Sequence, residues 1–303
     1  MTDTIIAGSD LDRLAANLER EARASVARSQ SDHIERPKSW IVIDLEFIYD
    51  RLSHDAYMTC EGKGAEQAIR WPFHKVAATS WMKISFMPGQ TSPEIEGPFV
   101  RTAEATDEKA IVSELFGVLA ASPDAVVTTW GGEARDFAVL RRCATTHDLQ
   151  LPSQLIDGSP NARERLDLCR VTCVQAPSVH LPEMAAAVSV PAKPSPSKTI
   201  GLLCESGDWG AVAEQVRADV LTTTILTVRH LAAHGQVQCQ RGDTIIALAA
   251  SAVLAAPDSD FVRRTFVQQG SEHVGFLASR RADPGYYATD MDETGGLPPP
   301  VDA

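Results

Sequence analysis

The stretch Ile41-Val42-Ile43-Asp44-Leu45-Glu46-Phe47 sets two carboxylates two residues apart inside a run that otherwise reads as a buried strand. Along a strand, residues i and i+2 point to one face, so Asp44 and Glu46 project together. Two like charges held close in apolar surroundings are costly unless they share a proton or bind a cation. The pair therefore raises the question of where further ligands come from.

Working outward, the strand is followed by a second over Lys75–Phe86 and a third near Gly97–Arg101. The connection from Tyr49 to Trp71 reads as a long loop that could cover a site or bind a partner. Asp107–Ala121 has the apolar spacing of a helix, and Ala125–Trp130 is a short buried strand that runs through Gly131-Gly132 into another helix carrying Asp136. Three strands, a helix, a strand and a helix make an α/β order with the early strands antiparallel. Beyond Leu151 prolines interrupt the chain. Short helices are expected around Leu168–Val174 and Pro182–Ala187, and Val190–Pro196 reads as an extended loop. A long helix is expected from about Trp209 to Ala233, then helical candidates at Thr244–Ala255 and Asp260–Gln269. Before the first strand, Ser9–Arg28 has capping-box spacing and one apolar stripe, and Ala282–Ala303 reads as a disordered acidic tail. The expected division is an N-terminal helical extension (1–38), a main domain (39–235), a C-terminal helical extension (236–281) and the tail (282–303).

With 303 residues and 44% hydrophobic content, the chain can bury a sizeable core without disulfides or a structural metal. Its six cysteines lack zinc-ribbon spacing, Cys169 and Cys173 lie one helical turn apart, and all read as reduced thiols of a cytoplasmic protein. No basic segment followed by an apolar run opens the sequence, so no secretory signal is expected, and Ile245–Ala256 is too short to span a bilayer. A formal net charge of -12 argues against a broad basic surface that coats nucleic acid. It leaves room for a local acidic site that recruits divalent cations.

Asp44 and Glu46 on the first strand, Asp136 after the fourth strand, and Asp219 within the late helix form an ordered acidic set. In that order they resemble the DEDD superfamily of 3′-to-5′ exonucleases, in the branch related to the proofreading domain of family B DNA polymerases. The resemblance covers about residues 39–234. Pro72–Ala78 is similar to that branch's second strand, Arg165-Leu166-Asp167-Leu168 to its "hxDL" element, and Gly207-Asp208-Trp209 precedes the final helix. The resemblance implies a ribonuclease-H-like fold, a mixed five-stranded sheet flanked by helices. It also implies that Asp44, Glu46, Asp136 and Asp219 hold two Mg²⁺ or Mn²⁺ ions for hydrolysis at the 3′ end of single-stranded DNA or RNA. Hard divalent cations take carboxylate oxygens, and a metal pair can stabilise both the attacking and the leaving oxygen.

The family places a Tyr four residues, or a His five residues, before the last acid. Here those positions hold Gln215 and Glu214. Gln215 shares Asp219's face, but its amide cannot accept a proton. Glu214 can, and it is the candidate base, although a regular helix turns it ~140° from Asp219. Gly131 replaces the Asn usual at the turn before the third acid. Leu45, Phe47, Trp130 and Gln215 are the candidate substrate contacts, with Phe47 or Trp130 able to stack on a terminal base. Lys75, Lys83, Arg135, Arg141, Arg142 and Lys198 are candidate phosphate contacts. Three readings stay open: an active exonuclease, a degenerate one that binds nucleic acid or a protein partner, and an acidic interaction protein whose carboxylates face solvent.

Overall fold

The apolar run around Asp44 is the central strand of a sheet. In the computed structural model, which describes residues 19–20, 38–193, 199–239 and 241–268, strand β1 spans Lys38–Tyr49 and is buried from Trp40 to Ile43. It is followed by α1 (Arg51–Glu61), β2 (His74–Phe86), β3 (Glu94–Thr102), α2 (Glu108–Ala120), β4 (Val126–Thr129) and α3 (Asp136–His147). Then come α4 (Ser153–Ile156), β5 (Arg165–Asp167), α5 (Leu168–Cys173), α6 (Leu181–Ala187), α7 (Ile200–Ser206), α8 (Trp209–Ala233) and α9 (Arg241–Ala255). A π-helical turn follows at Phe261–Phe266. The strands lie in the order β3-β2-β1-β4-β5, with β1, β2 and β3 antiparallel and β1, β4 and β5 parallel. This is the mixed five-stranded sheet flanked by helices that the resemblance implies.

The chain divides into two compact units, residues 1–37 with Met87–Gly89, and residues 38–86 with 90–303. In the first, the described residues are Glu19 and Arg20, which are helical, and the turn at Met87–Gly89. The rest of the helix expected over Ser9–Arg28 and the tail from Ala282 lie outside the described residues.

The alternation of β1 sorts its side chains between two cores. Ile41, Ile43 and Leu45 pack with Ile111, Leu115 and Leu119 of α2 and with Phe137 and Leu140 of α3. Val42 packs instead with Met82 and with Ala218, Leu221 and Ile225 of α8, a cluster that α9 joins through Leu248 and Ala252. Asp44 and Glu46 have the parity of Val42, so the period of the strand aims them at α8.

Helix α8 begins at Asp208, whose carboxylate accepts from the Ala211 amide at 3.0 Å. It is buried almost continuously from Gln215 to Val228. Thr224 and Thr227 donate to carbonyls one turn back at 2.7 Å, and the Thr222 hydroxyl lies between the carbonyls of Ala218 (2.8 Å) and Pro191 (2.6 Å), so all three are satisfied inside the core. No helix among the described residues is long and apolar enough to cross a membrane.

Several expectations need correction. Tyr49–Trp71 is not a structureless loop: α1 occupies Arg51–Glu61, and two 3₁₀ turns follow at Gly62–Gly64 and Trp71–Phe73. Asp50 caps the helix through the Ser53 amide at 3.1 Å, and His54 packs edge-on against Phe73. His54 is the helix's only buried residue, so no apolar period marked it. Strand β3 starts at Glu94 rather than Gly97. The last helical candidate is helical from Asp260 to Gln268, with π-helical geometry over Phe261–Phe266. No disulfide joins the described cysteines.

Candidate metal centre

Asp44 and Glu46 from β1 meet Asp219 from α8, and each offers a carboxylate oxygen within 4.8 Å of the others. Asp136, the first residue of α3, is buried close by and burdens both Asp44 and Glu46 electrostatically, but it stands outside that tight group. A bulge in the β1–β2 register falls between Glu46 and Phe47, just after the acidic pair.

The turn that delivers Asp136 is built by backbone contacts. Gly131 takes a left-handed conformation at φ 78°, and a Cβ on Gly132 would fall 2.5 Å from Thr129 Oγ1. Asp167, at the end of β5, accepts from the amides of Gly131 (2.8 Å), Glu133 (3.0 Å) and Arg170 (3.2 Å). The turn is thus held by a carboxylate from the neighbouring strand. The Arg165–Leu168 element held that signal, although spacing alone gave no reason to connect it with the turn.

Burial disfavours every ionised carboxylate here. It raises Asp44 well above the usual range, reinforced by Asp219, Glu46 and Asp136. It pushes Glu46 up to about 7 and Asp136 up to about 6, in both cases against the pull of nearby cations. Burial also raises Asp219, with Lys193 opposing. Asp44 Oδ2 and Asp219 Oδ1 are buried without a hydrogen-bond partner among the described residues. Each such orphaned acceptor costs about 1–3 kcal/mol. Clustered carboxylates with unpartnered oxygens fit a hard divalent cation.

One cation is already built in. Lys193 Nζ donates to Asp219 Oδ2 at 2.6 Å, with both side chains 6% exposed. Burial works against the ammonium, but Asp219, Glu46 and Asp44 outweigh it and raise the lysine's pKa. The backbone leading to it is anchored: Thr222, one turn beyond Asp219, donates to the Pro191 carbonyl at 2.6 Å, and Val190 is buried against the α8 cluster. Sequence reasoning missed this residue, because a single lysine among prolines carries no motif.

The centre opens on a cavity of about 790 Å³. Leu45, Phe47, Trp130 and Arg135 line it, joined by Trp209 and His180. The Arg135 guanidinium lies 4.7 Å over the Phe47 ring, and the Trp130 indole donates to the Val179 carbonyl at 3.1 Å. An ion pair at 3.1 Å between Arg51 of α1 and Glu205 of α7 joins two further lining residues.

Other candidates are engaged elsewhere. Glu214 does not line the cavity: it accepts from Ser259 Oγ at 2.8 Å and the Phe261 amide at 3.0 Å, and it pairs with Arg217. The helical rotation that separates it from Asp219 turns it toward the C-terminal segment, so its side chain does not face the acids as the expected base would. Gln215 is fully buried, donates to Thr199 and also lies off the cavity. Lys75 pairs with Asp50, Lys83 with Glu96, Arg142 with Glu108, and Arg141 holds two carbonyls. Lys198 lies outside the described residues.

Glu108, Cys143 and His147 also come within 4.8 Å of one another. Arg142 already supplies a cation there at 2.6 Å, and burial pushes the Cys143 thiol up to about 12, so the group reads as a hydrogen-bonded tie between α2 and α3.

No family model and no curated protein matches this chain. Among solved structures it is similar to the family B DNA polymerase of the hyperthermophilic archaeon Pyrobaculum calidifontis, at 16% identity and a TM-score of 0.45, over 81% of this chain and 29% of that one. It is also similar to E. coli exonuclease I in complex with a dT13 oligonucleotide, at 12% identity and a TM-score of 0.42, over 66% and 42% of the two chains. A product-bound exonuclease I gives 12% identity and a TM-score of 0.39, over 85% and 49%. The chain thus spans less than half the length of each of these proteins.

Proposed function

We propose that this chain is a divalent-metal-dependent 3′-to-5′ exonuclease acting on the strand end of single-stranded DNA or RNA. The observation that carries this reading is the convergence of Asp44, Glu46 and Asp219, two of them with unpartnered buried oxygens, on a cavity that aromatic side chains also line. Asp44, Glu46 and Asp219 would hold the metal, with Asp136 completing the acidic set. When bound, a divalent cation supplies positive charge against the phosphodiester oxygens and acidifies water.

The chain's own residues do the positioning. Phe47 and Trp130 line the cavity, Phe47 beneath Arg135, and a terminal base stacked on an aromatic ring there would gain about 1–3 kcal/mol. Arg135, held over Phe47, can meet a phosphate beside the stacked base. Neither Glu214 nor Gln215 reaches the cavity, so no side chain at the family's base position takes up the water's proton. A general base contributes on the order of 10²–10⁴ in rate, and slow turnover is expected without one.

Lys193 within the acidic group, together with the missing base, favours a second reading: an exonuclease-fold protein that binds a nucleic-acid strand or a protein partner without cutting. Hydrolysis of 5′-labelled single-stranded DNA and RNA with Mn²⁺, Mg²⁺ or EDTA separates the two. A metal-dependent ladder shortening from the 3′ end, lost in Asp44→Ala, is the expected result. Metal-dependent binding without shortening supports the second reading instead. Neither binding nor shortening by the folded, metal-supplied protein overturns the nucleic-acid reading altogether.

A further inference from the structure

We infer that Lys193 permanently fills the place of one cation, so that the acidic centre takes one divalent ion rather than two; this rests on the metal-dependent reading above. Three features of the structure lead there. The first is contact: Lys193 Nζ sits 2.6 Å from Asp219 Oδ2, with each side chain 6% exposed. A divalent ion on that oxygen would have to displace the ammonium or share the carboxylate with it.

The second is charge. Asp44, Glu46 and Asp219 carry three negative charges when ionised, while Asp136 beside them is paired with Arg135 at 3.5 Å. One ammonium and one divalent ion balance them, whereas an ammonium and two divalent ions overshoot by two. Uncompensated charge of either sign is costly where water is excluded.

The third is the set of oxygens left over. Lys193 satisfies Asp219 Oδ2, while Asp219 Oδ1 and Asp44 Oδ2 stay buried without partners among the described residues. These two oxygens, together with Glu46, form the remaining site. The lysine is also held in place. Thr222 pins the Pro191 carbonyl at 2.6 Å, and Arg229 donates to the Val188 carbonyl at 2.7 Å, so the backbone on the N-terminal side of Lys193 is fixed to α8 at two points. A surface lysine that drifted onto an acidic patch would show no such anchoring.

The test counts Mn²⁺ bound to the full chain near neutral pH, by the electron paramagnetic resonance of free Mn²⁺ and by calorimetry, in wild type, Lys193→Met and Asp44→Ala. One ion in wild type, two in Lys193→Met, and weakened or lost binding in Asp44→Ala is the expected pattern. Two ions in wild type would show that the lysine swings aside, which overturns the inference and leaves the metal reading intact. One ion in both wild type and Lys193→Met would make Lys193 a structural ion pair, and it also overturns the inference. No ion in either protein would sink the metal reading itself. If Lys193→Met fails to fold by circular dichroism, Lys193→Gln takes its place in the same count, with the same outcomes.

Discussion

Glu46 is raised from 4.5 to about 7 and Asp136 from 3.8 to about 6, in each case chiefly by burial. A pKa higher in the folded than in the unfolded state means that folding takes up protons. The associated stabilisation is therefore present below the unfolded value and lost as pH rises through the folded one. For these two groups that loss runs between about pH 4 and pH 7. In EDTA the protein is expected to melt at a higher temperature near pH 5 than near pH 8, and Mn²⁺ should raise Tm more at the higher pH, where the carboxylates it needs are ionised. Thermal scans at the two pH values with and without Mn²⁺ check this; a metal-free Tm that rises with pH would mean that Lys193 alone keeps the acids ionised. Glu214 makes a contrasting case on the same helix. Its hydrogen bonds to Ser259 and Phe261 tie α8 to the segment after α9. Glu214→Gln is expected to cost about 1–3 kcal/mol in a urea melt, while the pH–rate profile stays unchanged. A rate loss without a stability loss would restore Glu214 as a base.

Among the elements, the Gly131-Gly132 turn and β5 act together. Asp167 accepts from three amides around the turn that delivers Asp136. Asp167→Ala is expected to destabilise the protein by about 1–3 kcal/mol, because three partly buried amides lose their partner. Weaker Mn²⁺ binding should accompany it, and a melt combined with a metal titration separates the two effects. Gly132→Ala should behave similarly, since the added methyl would overlap the Thr129 side chain. Helices α8 and α1 show what local sequence can signal. Helix α8 is long, carries a capping Asp208 and was readable from Trp209 to Ala233. Helix α1 buries only His54, so its existence depends on a cap and an aromatic contact with Phe73 that no apolar period announces.

At the scale of the molecule, metal binding and folding stability are linked. An ion that binds only the folded protein adds about 2.7 kcal/mol at a hundred times its Kd. Denaturant melts should register a gain of that order in wild type and none in Asp44→Ala. The C-terminal elements belong to the same accounting. Leu248 and Ala252 of α9, with Phe261, Val262 and Phe266 beyond it, share one buried cluster with Val42, Met82 and Leu221. Truncation after Gly235 is therefore expected to strip this face of the core and yield an unstable or aggregating product, which a solubility assay and a melt would reveal.

The sequence by itself determined that Asp44 and Glu46 share a face, that the strand carrying them is buried, that a glycine turn precedes Asp136, and that Asp219 lies on a long capped helix. Each of these follows from a period of two, a period of 3.6 or a cap, all of which are local. It also determined that Glu214 faces away from Asp219, because five residues of helix fix that rotation. Only the tertiary structure decided what completes the centre. Lys193 reaches Asp219 across 26 residues, and Asp167 reaches Gly131 across 36. No periodicity spans such separations; the packing of β5 and of the Val190–Lys193 backbone onto the sheet and α8 brings those charges to the acids.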